Sequence, residues 1–267
     1  MYLAFGSYAL LMGIISGYPT GAKIVSDFKE NGLCSNEEAE RMLAFTNNSG
    51  PLFILGTVGI TLFGNSLIGI LLLITHILAC LSVGFIFRFW KIKSNKNSYT
   101  YSSHSNLNKK EVSFSNLGEI LGNSIMSSIK TVIMIGGFIV LFSVILSILN
   151  DSNFLNLLGQ FLFPIFRFFG IDNFDFATSF SSGFLEITNG IMQISKIPCK
   201  YISTNIILSA FLLGFGGISI LLQVYSIISK SNISIKPYFI GKLLHGILAA
   251  VYTFIFISIF PIFNLNL

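Results

Sequence analysis

The chain has 267 residues, 53% of them hydrophobic and only 10% charged, with a net charge of +5 and a mean hydropathy of +0.78. A soluble domain carries about 25% charged residues, so the composition excludes an ordinary soluble fold and predicts an all-α, multi-pass membrane protein. Cys34, Cys80 and Cys199 are too few and too scattered for a disulfide framework or a metal cage and read as small apolar fillers, so no metal or cofactor is expected.

Met1 is followed directly by apolar residues without a basic stretch, and no cleaved leader is expected. Residues 15–23 then read ISGYPTGAK. A phosphate-binding loop needs four residues between its glycines, then Lys directly, then Ser or Thr. Here three residues separate Gly17 from Gly21 and Ala22 intervenes before Lys23, which excludes ATP binding. Lys23 is read either as a side chain reaching to an interface or as an anion contact. The stretch predicts a helix broken at membrane depth. Lipid cannot satisfy free N–H and C=O groups, so such a break survives only when buried in protein or lining a wet cavity.

Asn31-Gly32 predicts a helix C-cap, and Ser35 with Glu38 a capping box that opens the next helix. Ala39, Met42, Leu43 and Thr46 give that helix one less polar face. A second break follows at Asn47, Asn48, Ser49 and Gly50, with Pro51 suited to the first position of a new helix. Residues 66–90, 131–149 and 243–263 are each long and apolar enough to span a bilayer, which takes about 20 residues. Between the first two lies a Ser/Asn-rich stretch carrying Lys91, Lys93, Lys96, Lys109 and Lys110. The positive-inside rule puts this loop, 91–116, in the cytoplasm and explains its charge without a nucleic-acid partner. His104, within it, is read as solvated.

The chain also matches itself. At an offset of 166 residues Ser16-Gly17 meets Ser182-Gly183, Ala44-Phe45 meets Ala210-Phe211, and Gly50 meets Gly216. His76 and His245 then fall in matching places on the following helices. Each copy predicts a helix, a glycine-containing break, a turn, a second helix and a second break. The organisation expected is a first repeat core at 1–62, a transmembrane helix at 63–90, the loop at 91–116, lead-in helices at 117–169, a second core at 170–229 and a C-terminal loop and helix at 230–267. Gly64-Asn65 should lie outside. The matching segment carries Lys230, Lys236 and Lys242 and reads as cytoplasmic, so the repeats are expected to be inverted. The first repeat has no counterpart to 117–169, and about 50 residues are expected upstream by comparison with the second. The side on which the turn at 23–41 lies is left open.

Interrupted segments in corresponding positions of two halves point to a transporter binding site. The substrate-binding candidates are Ser16, Gly17, Tyr18, Pro19, Thr20 and Gly21 in the first break and Asn47, Asn48, Ser49 and Gly50 in the second. Glu186, Thr188 and Asn189 come from the third break and Gly216 from the fourth. Glu186 is the acidic residue of the third break and serves either as a ligand or ion-coupling group or as a cap for a broken helix. His245 is the other coupling-ion candidate; membrane histidines also serve as helix–helix hydrogen bonders. Asn47, Asn48 and Ser49 stand open between ligand contact and capping. No nucleophile–base pair, HExxH or GxSxG is present, so an enzyme is not expected.

Residues 16–59, SGYPTGAKIVSDFKENGLCSNEEAERMLAFTNNSGPLFILGTVG, resemble the signature region of the sporulation integral membrane proteins of the YlbJ type, within the wider nucleoside-recognition, or Gate, domain group. The likeness continues more loosely through the second repeat. It implies a multi-pass protein of the mother-cell or forespore membrane, needed for sporulation and for formation of the spore cortex. On this basis the expected function is transport of a small polar solute. The alternative is a non-transporting scaffold that recruits cortex-assembly factors through the loop at 91–110. The partners expected are the lipid bilayer and that solute; homo-oligomers and other sporulation membrane proteins are left open.

Overall fold

The computed structural model describes residues 2–91, 117–198 and 202–260. Most of the basic loop, with His104, and Cys199 lie outside the described residues, as does the docking role considered for that loop. Among the described residues the chain is entirely helical, with no strand.

The apolar helix α1 (Tyr2–Ser16) ends where Gly17 takes a φ of +76°, a conformation that glycine adopts at little cost. Helix α2 (Thr20–Glu30) then runs to a turn closed by Gly32 at φ +69°, with the Leu33 N–H donating to the Phe28 carbonyl at 2.9 Å. This is the paired C-terminal capping that Asn31-Gly32 predicts. Helix α3 (Asn36–Thr46) opens on the expected capping box: the Glu38 N–H donates to the Ser35 hydroxyl at 3.2 Å and the Ser35 N–H to the Glu38 carboxylate at 2.9 Å. Ala39, Met42, Leu43 and Thr46 are fully buried, as their spacing predicts.

After the second break, residues Leu52–Leu62 form the new helix expected at Pro51, and it is a π-helix. Its Gly59 packs on Gly69 of α4 (Ser66–Phe87) so closely that a methyl group there would lie 2.5 Å from the Gly69 Cα. Asn65 caps α4, accepting from the Leu67 N–H at 2.8 Å. Then come α5 (Leu117–Asp151) and α6 (Phe154–Phe168). The second half follows as α7 (Phe174–Leu185), α8 (Ile187–Lys196), α9 (Ser203–Phe215), α10 (Gly217–Ile228) and α11 (Ile235–Ile259).

Ser66–Phe87, Leu117–Asp151, Ser203–Ile228 and Ile235–Ile259 are long and apolar enough to cross a membrane. Exposed apolar side chains such as Val132, Ile133, Val140 and Ile148 on α5 fit a lipid solvent. Between helices in lipid there is little hydrophobic driving force, so small residues that allow close packing matter most. Helix α11 packs on α9, α4 and α3 and is the seam of the molecule. A methyl group at Gly214 of α9 would lie 2.7 Å from the Gly246 Cα, and one at Gly241 would lie 2.7 Å from the Ala44 carbonyl oxygen.

One reading of the sequence is corrected by this seam. Lys242 does not belong to a cytoplasmic basic segment. It lies inside α11 at 1% exposure, because the helix starts at Ile235 and carries the lysine into the protein.

Candidate functional site

The breaks converge. A methyl group at Gly17 would lie 3.0 Å from the Gly50 nitrogen, so the first and second breaks touch backbone to backbone. One at Gly216 would lie 3.1 Å from the Tyr18 hydroxyl, which joins the first break to the fourth. One at Gly217 would lie 3.3 Å from the Ile187 nitrogen and from the Gly183 and Leu185 carbonyl oxygens, which joins the fourth to the third. Glycine suits these positions because Gly17, Gly216 and Gly217 have φ of +76°, +87° and +82°, and a side chain would also press on the neighbouring segment by a few tenths of an ångström. The contact is direct and closed: Asn47, Asn48 and Ser49 are at most 2% exposed.

Lys242 stands at this meeting point. Its Nζ donates to the Tyr18 hydroxyl at 2.8 Å and to the Asn47 carbonyl oxygen at 3.2 Å, and lies 3.5 Å from His245 Nδ1. It also sits 4.9 Å from the centre of the Tyr18 ring, a cation–π distance. An ammonium has three donors, and three acceptors surround this one. Among the described residues it forms no ion pair with a carboxylate.

The rest of the cluster is ordered around it. Asn47 donates from Nδ2 to the Tyr238 hydroxyl at 2.8 Å and accepts at Oδ1 from the Ala22 N–H at 3.4 Å. Asn48 donates to the Phe45 carbonyl at 2.9 Å and to the Cys80 sulfur at 3.3 Å. Its Oδ1 has no partner, nor do the Ser182 and Ser209 hydroxyls or either ring nitrogen of His76. The His76 and His245 rings lie 4.4 Å apart, and His245 Nε2 is 3.0 Å from the His76 carbonyl oxygen. The two histidines read as counterparts in sequence are therefore neighbours in space.

The remaining sequence candidates divide. Pro19 and Gly21 are buried, and Gly21 packs against the Thr46 carbonyl rather than offering a ligand group. Thr20 and Asn189 are half-buried. Ser16 and Thr188 are exposed and do not join the cluster. Glu186 is 3% exposed, and its carboxylate caps α8, accepting from the Thr188 N–H at 3.0 Å and the Asn189 N–H at 2.9 Å. Lys23 donates to the Ser127 hydroxyl of α5. Lys242 and Tyr238 are the residues that sequence reasoning missed. The available signal was the pairing of Lys242 with His245 three residues on, which puts both on one face of an otherwise apolar helix.

These features define an all-α, multi-pass membrane protein whose broken helices meet around a buried, mostly polar cluster. Within that class the chain is 36% identical, over 257 residues, to the sporulation integral membrane protein YlbJ of Bacillus subtilis (strain 168). The alignment covers 92% of this chain, so the resemblance first seen in residues 16–59 extends over most of its length; the chain spans 62% of the relative's length. No family model matches the chain. No solved structure matches it.

Proposed function

We propose that the protein is a transporter of a small polar solute that carries negative charge, acting in sporulation and serving formation of the spore cortex. The observation that carries this reading is Lys242: a buried lysine at the junction of the helix breaks, with acceptors around it and no carboxylate partner among the described residues. A charged side chain in a membrane helix costs at least about 2.5–3.5 kcal/mol on insertion scales, and such residues mark substrate or ion pathways. The N-termini of α2, the π-helix and α10 start at the same junction, and helix N-termini favour anions.

Alternating access by inverted repeats is the mechanism we infer, with one half rocking on the other. Its support is a set of contacts at the helix ends. Glu40 of α3 accepts from Lys91 at 2.9 Å and from the Trp90 indole at 3.3 Å, so the 23–41 turn lies at the end of α4 that leads into the basic loop. Ser26 of α2 is hydrogen-bonded to Ser231 at 2.9 Å, which brings the segment before α11 to that end as well. Asn65, the counterpart of Ser231 at the offset of 166, starts α4 at its opposite end.

The test is metabolite profiling of spores with and without the protein. Spores lacking it should be depleted of at least one small anionic metabolite. Asn48→Ala and Lys242→Met should give the same depletion while still accumulating in the membrane. Spores of unchanged metabolite content would sink the reading.

A further inference from the structure

A hydrogen-bond pattern around α11 fixes where a proton can go. The His76 backbone carbonyl can only accept, so the His245 Nε2 that lies 3.0 Å away carries the hydrogen. His245 Nδ1 is then a bare lone pair, and it lies 3.5 Å from Lys242 Nζ, whose other partners are also acceptors: the Asn47 carbonyl and the Tyr18 hydroxyl. A donor facing an acceptor, both titratable and both at most 1% exposed, is a proton-transfer pair.

We propose that Lys242 and His245 are the proton-carrying site of this protein, which deepens the transport reading by naming the coupling ion as a proton. In the transfer, an N–H bond of the Lys242 ammonium breaks and an N–H bond at His245 Nδ1 forms. Lysine becomes a neutral amine and the imidazole becomes imidazolium, so the single positive charge is conserved and moves along α11. With the charge on Lys242, the ammonium ties α11 to the first break through Tyr18 and to the second through Asn47. With the charge on His245, the neutral amine still offers two N–H donors to Tyr18 and Asn47 and its lone pair accepts from the new Nδ1–H, but both ties lose the strength of a charged donor and the Tyr18 ring loses its cation–π partner, so the tie loosens. The state of one proton thereby sets the grip of α11 on the two breaks of the first half.

The surroundings suit a single charge. The titratable groups facing the pair are Tyr18 from the first break, His76 and Cys80 from α4, and Tyr238 from α11 itself. Helix α9 contributes none, and α10 has only the exposed Tyr225. The carboxylates of α3 (Glu37, Glu38 and Glu40) lie toward its start, about 10 Å of helix or more from the Asn47 cap. A positive charge on His245 disfavours a second proton on the His76 ring, whose centre lies 4.4 Å away. A sodium site would need a shell of oxygen ligands; this one is met by an ammonium and imidazole nitrogen.

Two measurements on the full chain test this. The first is NMR of the detergent-solubilised protein carrying ¹⁵N-labelled histidine and lysine, between about pH 5 and 9, with resonances assigned by His76→Asn and His245→Asn. The expected result is a protonation change at His245 that moves in Lys242→Arg, which keeps a charge but does not release its proton. A His245 and a Lys242 that both hold one protonation state across that range would overturn the proposal. The second is uptake of a ¹⁴C-labelled metabolite extract of sporulating cells by proteoliposomes. A pH gradient should raise uptake at least about fivefold over a sodium gradient in the native protein and not in Lys242→Arg. Uptake indifferent to the pH gradient overturns the proton site and leaves transport standing. Titration at His245 with no uptake of any label leaves the proton site standing and removes the transport reading.

Discussion

A methyl group on Gly13 would sit 1.8 Å from the Thr46 carbonyl oxygen, and one on Gly21 2.2 Å from the same atom. The two glycines let α1 and α2 close on the end of α3, which is what aims Asn47 at the cluster. Overpacking typically costs about 1–3 kcal/mol, more where backbone must move. Gly21→Ala should therefore lower the melting temperature of the solubilised protein by several degrees, while Gly118→Ala, with open space around it, should not. Glu186 makes a second residue-scale case. Glutamine keeps one acceptor oxygen and alanine none, so Glu186→Ala should cost about 1–2 kcal/mol of stability and Glu186→Gln less. Cys34 gives a third. Burial, with the nearby Glu38 carboxylate adding to it, pushes its thiol up to about 11. Thiolate is the reactive form, so maleimide labelling at pH 7.5 should run about 10²-fold or more below an exposed thiol. The rate should climb tenfold per pH unit toward pH 11, whereas an exposed thiol levels off near pH 8.5. A Cys34 that labels like an exposed thiol would contradict the packing of the α2–α3 turn.

At the scale of elements, the turn chemistry was legible and the membrane helices less so. Gly32, Ser35 and Glu38 act locally, through hydrogen bonds within a few residues of one another, so their roles can be read before the fold is known. Ser35→Ala should cost about 1 kcal/mol, seen as an earlier loss of helicity in a thermal melt. The π-helix at Leu52–Leu62 left no such local mark. The burial of Lys242 left only the weak mark of its spacing from His245: a lysine before a hydrophobic run reads equally as a topology marker or as the first polar group of a site. Only the early start of α11, with Ser234 as its cap, separates the two.

For the whole molecule, the arrangement of the halves makes two predictions. In protoplasts, a membrane-impermeant thiol reagent should label Ser66→Cys, at the start of α4, and spare Ser229→Cys, near the start of α11, in a background lacking native cysteines. Both positions are exposed, so equal labelling from one side would end the inverted reading. Across the seam, the Thr253 hydroxyl donates to that of Thr75 at 3.0 Å, joining α11 to α4. A Thr75→Cys/Thr253→Cys pair is within reach of a disulfide. Its oxidation should stop uptake and its reduction restore it, provided the halves move on each other; uptake that continues in the cross-linked protein would place the moving seam elsewhere.

The membrane class, the caps and the positions of the four breaks were determined by the sequence alone. Composition, turn residues and repeated spacing act over short range or are summed along the chain, and need no knowledge of partners. Which of those breaks touch, that Ser16 and Thr188 stay outside, and that Lys242 faces Tyr18, Asn47 and His245 were decided only by tertiary structure. Those contacts join residues as far as 224 apart in the chain. They depend on how closely glycine lets one helix approach another, and that is a property of the packed pair rather than of either segment.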